Sequence, residues 1–129
     1  MQTNPEYRDV VEEVRAFLLD RADVCIKSGI AREQIILDPG FGFGKSLEHN
    51  LALLKGLDRI VDTGFSVLAG LSRKSMVGAL LGNPDCDRMA GSVTLALYAM
   101  RQGAHIVRVH DVAQTADALR VEAAVAGFG

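Results

Sequence analysis

Asp38, Lys74 and the pair Arg108 and His110 supply a carboxylate, an ammonium, and a guanidinium with an imidazole, spaced at roughly a quarter of the chain. A carboxylate accepts hydrogen bonds from the N–H edge of a heterocycle, whereas a guanidinium and an imidazole together suit a phosphate or diphosphate. The segment around Asp38 sharpens this reading. Residues 35–45 run Ile-Ile-Leu-Asp-Pro-Gly-Phe-Gly-Phe-Gly-Lys, a short apolar strand that ends on the carboxylate and enters a loop of alternating Gly and Phe. Gly40, Gly42 and Gly44 free the backbone to lie against a ligand, and Phe41 and Phe43 offer flat faces beside Asp38. A flat ring carrying N–H donors fits that combination.

A phosphate-binding loop is the competing reading, because Gly44-Lys45-Ser46 resembles the end of a Walker A motif. Its spacing fails: the first Gly of the motif falls on Pro39. A dinucleotide fingerprint fails as well, since its third Gly falls on Lys45 or Leu47. A plain glycine-rich turn remains the bland alternative.

On a strand, side chains alternate, so Arg108 and His110 point one way and Val107 and Val109 the other. Cations on an apolar strand need an anion, either a ligand or an internal carboxylate such as Asp111 or one from another chain. Ser72-Arg73-Lys74-Ser75 reads either as a solvated basic turn or as the opening of a helix whose first N–H groups could add to an anion site, and Lys74 can meet Asp38 across neighbouring strand ends. Lys45 and His49 read as solvated residues on a helix start, and His105 as an exposed residue at the opposite end of its strand.

Placing these groups together requires an alternation of helices and strands. Val10, Val14, Phe17, Leu18, Ala22, Cys25 and Ile26 predict a helix from Pro5 to about Ser28, capped by Asn4 and closed by Gly29. Strand 35–38 follows, then a helix over 47–62 with Leu47, Leu51, Leu54, Leu57 and Ile60 inward. A strand over 65–71 leads to a short helix over 76–81. Another helix over 87–101 turns Val93, Leu97 and Met100 inward. Strand 105–110 leads to a helix over 112–126 that starts on a capping-box-like Asp111, and the tail 127–129 frays. Strands joined through helices must pair in parallel with right-handed crossovers, which makes the class α/β. Every suggestive residue then sits at a strand's C-terminal end, where parallel α/β folds bind ligands. Three strands close no barrel and leave two open edges, so the chain reads as part of a larger unit.

Composition sets outer limits. With 129 residues and 49% hydrophobic content, one compact domain over residues 1–129 is expected. A net charge of −2 and a pI near 5.9 argue against broad binding to nucleic acid or to an anionic membrane. Cys25 and Cys86 fall in no metal or redox spacing and read as free thiols in a reducing, cytoplasmic setting. The N-terminus lacks the pattern of a signal peptide, and no apolar run approaches the ~18 residues of a membrane span.

Three motifs taken in order closely resemble dihydropteroate synthase: residues 36–45, then Gly70-Leu71-Ser72-Arg73-Lys74-Ser75, then Arg108-Val109-His110-Asp111. The resemblance implies the C-terminal half of a (β/α)₈ TIM barrel in folate biosynthesis, joining p-aminobenzoate to a dihydropterin diphosphate and releasing diphosphate. It implies that Asp38 hydrogen-bonds the amino-pyrimidine edge of the pterin and that Lys74 contacts the pterin and supports the adjacent p-aminobenzoate site. Arg108 would stack on the pterin and, with His110, hold the diphosphate. Phe43 and Ser72 would line the p-aminobenzoate pocket, where sulfonamides compete, and Phe41 would shape the loop beside it. Gly70 and Val109 complete the substrate-binding set, and Lys74, Arg108 and His110 form the catalytic one. Mg²⁺ on the diphosphate is implied, with its protein ligand outside this chain.

A complete family barrel needs about 250 residues. The resemblance therefore implies a chain that is inactive by itself and is partnered by a missing N-terminal half or by further copies of itself. A self-associating half-barrel that binds phosphate-like anions without turnover is the alternative. A phosphosugar enzyme is disfavoured, because Asp38 with its Gly/Phe loop has no evident task on a sugar.

Overall fold

The computed structural model describes residues 7–127. In chain order its elements are α1 (Val10–Lys27), a single 3-10 turn (Arg32–Gln34), β1 (Ile36–Leu37), α2 (Leu47–Lys55) and α3 (Leu57–Val61). There follow β2 (Ser66–Ala69), α4 (Ser75–Leu81), α5 (Met89–Arg101), β3 (Ile106–Val107) and α6 (Val112–Ala126). The strands pair in parallel in the order β1-β2-β3, with Ile36 opposite Ser66 and Leu68 opposite Ile106. This is the expected α/β half-barrel, an open three-stranded sheet flanked by helices.

The strands are shorter than their apolar runs, although the pairing of β2 with β3 continues beyond them. The His105 N–H donates to the Val67 carbonyl at 2.9 Å and the Arg108 N–H to that of Ala69 at 3.0 Å. His105 is exposed, as expected, yet its Nδ1 accepts the Val67 N–H at 3.0 Å and so replaces a missing carbonyl partner. Leu37, Val67 and Ala69 from the sheet join Leu53, Leu54, Leu57, Ile60, Phe65 and Ala99 in the core. Burying such side chains stabilises the fold by about 1.5–3 kcal/mol for each large one.

Several local expectations change. The first helix begins at Val10, because the Asp9 carboxylate accepts the Glu12 N–H and Glu13 Oε2 accepts the N–H groups of Arg8 and Asp9. A cap at Asn4 and a first turn at Pro5 lie outside the described residues, as do Phe128 and Gly129 of the tail. On α1, Val10, Val11, Val14 and Ala22 are buried, Cys25 is half-buried, Ile26 faces solvent and Phe17 is 62% exposed. The helix therefore carries more apolar surface than its own neighbours cover. On α5 the buried face is Ser92, Ala96 and Ala99, while Val93, Leu97 and Met100 are only half-buried. Small residues let this helix approach the sheet closely. Lastly, Asp111 makes no side-chain cap for α6.

The expected helix over 47–62 is two helices, broken at Gly56. A Cβ there would sit 2.7 Å from Val11 Cγ2, so α1 rests in the notch that a side chain would fill. Arg59 beyond the break reaches Asp9 at 3.4 Å and Glu12 at 3.2 Å, exposed pairs of small energetic weight. Cys25 and Cys86 are free. Among the described residues no helix is long and apolar enough to cross a membrane.

Gly56→Ala is expected to destabilise the fold by about 1–3 kcal/mol through overpacking. Combining it with Val11→Ala should recover part of that loss, seen as a favourable coupling of about 0.5–3 kcal/mol in a denaturant double-mutant cycle. Additive losses would show that the notch is not what breaks the helix.

Candidate functional site

The loop after β1 is held by side chains rather than by regular structure. Asp38 Oδ1 accepts the Gly40 N–H at 2.9 Å, turning the chain immediately after the strand. Phe41 then drops into the core, fully buried, so its side chain anchors the loop from below. Asn50, 3% exposed on α2, accepts the Gly42 N–H on Oδ1 at 2.8 Å. Lys45 folds back beneath the loop and donates from Nζ to the Gly40 carbonyl at 2.8 Å and the Phe43 carbonyl at 3.2 Å. From the neighbouring strand tip, Lys74 Nζ donates to the Phe41 carbonyl. Phe43 is left 59% exposed, with Lys74 Nζ 5.0 Å from its ring centroid.

Lys45 and His49 are thus not solvated residues. His49 Nδ1 accepts the Ser46 N–H while Ser46 Oγ accepts that of His49, and its ring meets Tyr7 edge-on at 5.0 Å between centroids. Burial lowers the pKa of Lys45 against the opposing pull of Asp38.

Two further strand tips complete the site. After β2 the chain passes through Gly70, Leu71 and Ser72, reverses at Arg73 and enters α4 with Lys74 at its N-cap position. After β3, Arg108 Nη1 lies 3.4 Å from Asp38 Oδ2. The guanidinium runs so close over the middle strand that a Cβ on Gly70 would stand 2.4 Å from Nη2. That proximity accounts for glycine at position 70. His110 donates its backbone N–H to Ser72 Oγ at 3.2 Å and holds Nδ1 2.9 Å from the same oxygen. Arg108 does not pair with Asp111. Asp111 instead takes Arg73, with Nη2 at 2.6 Å and Nε at 3.3 Å, which leaves Arg108 to Asp38.

Lys74 has its pKa lowered, first by burial and next by the Arg108 cation, with Lys45 adding to the effect and Asp38 opposing it. It also borders two adjoining clefts. One of about 280 Å³ is lined by Phe41, Gly42, Phe43, Lys74 and Ser75. Its neighbour, about 290 Å³, is lined by Gly70, Ser72, Lys74, Arg108, Val109 and His110. Lys74 thus joins Phe41 and Phe43 on one cleft to Gly70, Ser72, Arg108, Val109 and His110 on the other, while Asp38 lines neither and meets the site through its pair with Arg108.

Chemically, this surface offers one carboxylate to N–H donors, a cationic wall to an anion, and an aromatic face beside an ammonium. Among the described residues no three His, Cys, Asp or Glu side chains gather to hold a metal ion. Asn50 and Lys45 were missed as loop-shaping residues. Asn50 left a signal, a polar residue within the apolar stripe of Leu47, Leu51 and Leu54.

Comparison with known proteins places these observations. The model of the pterin-binding enzyme family matches residues 1–110. A dihydropteroate synthase of Haemophilus influenzae is 52% identical over 126 residues, 98% of this chain and 46% of that protein. The crystal structure of dihydropteroate synthase from Stenotrophomonas maltophilia, with imidazole bound in its active site, superposes with a TM-score of 0.95 at 46% identity. It covers all of this chain and 49% of the other. The Xanthomonas albilineans dihydropteroate synthase in complex with 7,8-dihydropteroate gives a TM-score of 0.92 at 48% identity, over 97% of this chain and 48% of that one. The chain spans about half the length of the curated relatives it matches.

Lys45 and Lys74 should titrate below 10.5 and Lys27, paired with Asp23, above it, as read by ¹³C NMR of reductively methylated protein. A lowered lysine pKa means that the folded chain binds fewer protons than the unfolded one. Their contribution to stability should therefore rise with pH between their folded values and 10.5, the penalty for charging them being greatest below that window. Ordinary titration of Lys74 would remove the burial argument.

Proposed function

The chain belongs to the pterin-binding enzyme family and within it to the dihydropteroate synthases. From that membership we propose that, joined to the N-terminal half of its barrel, it condenses p-aminobenzoate with a dihydropterin diphosphate to give dihydropteroate and diphosphate. The observation that carries this reading is that Lys74 borders both clefts, one of them shared with Arg108, which pairs with Asp38 at 3.4 Å.

Asp38, exposed at the strand tip, accepts from the N–H edge of the pterin once Arg108 swings off it. Their half-exposed 3.4 Å pair is weak enough to yield. The guanidinium then lies over the ring, with Gly70 leaving it room. Arg108 and His110 face the diphosphate. As the bond from the methylene carbon to the diphosphate oxygen breaks, that oxygen keeps the electron pair, and the two groups stabilise the growing charge. The aromatic amine attacks the resulting pterin cation from the side of Phe43 and Ser72, forming the new C–N bond and releasing its proton. Lys74 stands between the two substrates and fixes their approach. Mg²⁺ on the diphosphate would neutralise further charge, with its protein ligand supplied from the other half. A reducing, cytoplasmic setting belongs to the same reading and is supported by the two free thiols.

A second reading, self-association without turnover, draws support from uncovered apolar groups, Ile36 on β1 at 51% exposure and Phe17 on α1 at 62%. Light scattering of the isolated chain over a wide concentration range separates the two. Growth in mass that the N-terminal half does not suppress supports the second, and a defined complex with that half supports the first.

In the full-length barrel, Lys74→Ala or Arg108→Ala is expected to reduce turnover by about 10²–10³-fold. Gly70→Ala should leave stability nearly unchanged while weakening pterin diphosphate binding by about tenfold, since the guanidinium is the part able to move. Near-normal rates in all three would refute the assignment.

A further inference from the structure

Arg73 is, among the described residues, the one non-glycine residue with a positive φ, at 56°. A side chain in that region is strained and persists only where its surroundings over-determine it. Both of its backbone polar groups are taken by the start of α5. Its N–H donates to Ser92 Oγ at 2.8 Å, and that hydroxyl, 3% exposed, donates in turn to the Arg88 carbonyl. The Arg73 carbonyl accepts from Arg88 Nη1 at 2.9 Å, while Nη2 of the same guanidinium is fixed by the Pro84 carbonyl at 3.0 Å. The Arg73 side chain is meanwhile turned outward to Asp111.

The reversal has a direct effect on the site. Ser72 on one side of it faces His110, and Lys74 on the other reaches over the Gly/Phe loop to the Phe41 carbonyl. Resting on the function proposed above, we infer that Ser92 and Arg88 are positioning residues for Lys74: they hold residue 73 in its left-handed turn and so aim the ammonium between the two clefts. Neither touches a cleft. Each acts through the peptide groups of Arg73.

Groups facing Lys74 from the packed elements are Arg108, Asp38 and Lys45, so its protonation reports its place among them. The experiment pairs Ser92→Ala and Arg88→Met with Thr94→Ala, an exposed hydroxyl on the same helix, as control. In the full-length barrel the first two should lower kcat by about tenfold or more with thermal midpoints that keep the protein folded. In both, the Lys74 methyl resonance should titrate at higher pH than in the parent, toward the ordinary lysine value, because the ammonium has moved into water. Thr94→Ala should change neither. If Ser92→Ala fails to fold, Arg88→Met decides alone. A folded Arg88→Met with unchanged Lys74 titration and unchanged kcat overturns the inference. A parent barrel that makes no dihydropteroate, with Lys74 still shifted in the variants, overturns the proposed reaction and leaves the positioning role standing.

Discussion

One carboxylate among three cations governs the arrangement: Asp38 faces Arg108 directly, with the ammonium groups of Lys74 and Lys45 close enough to feel its charge. Like charges gathered at one place repel, and half-burial weakens the solvation that would offset this. The chain tolerates the gathering because Lys74 and Lys45 each spend their donors on backbone carbonyls of the Gly/Phe loop. What remains is a surplus of positive charge with too little acid to neutralise it. That imbalance suits an anion, and it exists only because three neighbouring parallel strands end on the same side of the sheet.

Much of this was legible from residue order. The spacing of apolar residues located the helices. Strand alternation, which set Val109 against Arg108 and His110, stops at Val107 where β3 ends, and all three residues line one cleft. Periodicity could not say which acid each arginine would meet. Asp111 lies near Arg108 in sequence, yet it pairs with Arg73, which a reversal that no local pattern announces turns toward it. The break at Gly56 was equally silent, since leucines continue through it in register and only the arrival of Val11 from another helix demands the gap.

Other departures share one cause. Phe17 and Ile26 were read as core because their spacing is helical, and that reasoning is correct for a face meant to be covered. Ile36 on the edge strand β1, 51% exposed, shows the same surplus of apolar surface. On α5 the preference for large side chains misled in the opposite direction, where Ser92, Ala96 and Ala99 are buried because the helix lies close to the sheet. The Ser92 hydroxyl is tolerated there because it both gives and receives a hydrogen bond.

The Gly/Phe loop owes its shape to Asn50, Lys45 and a buried Phe41, none of which needs a guest molecule to be in place. A surface ordered in advance loses little conformational freedom when occupied, so more of the gross attraction survives as affinity. Flexible side chains such as Phe43 can adjust at the rim while the peptide frame stays fixed. A rigid frame separates guests of similar shape more sharply than a pliable one, so small changes in distant anchors would be felt as altered selectivity before they were felt as loss of fold.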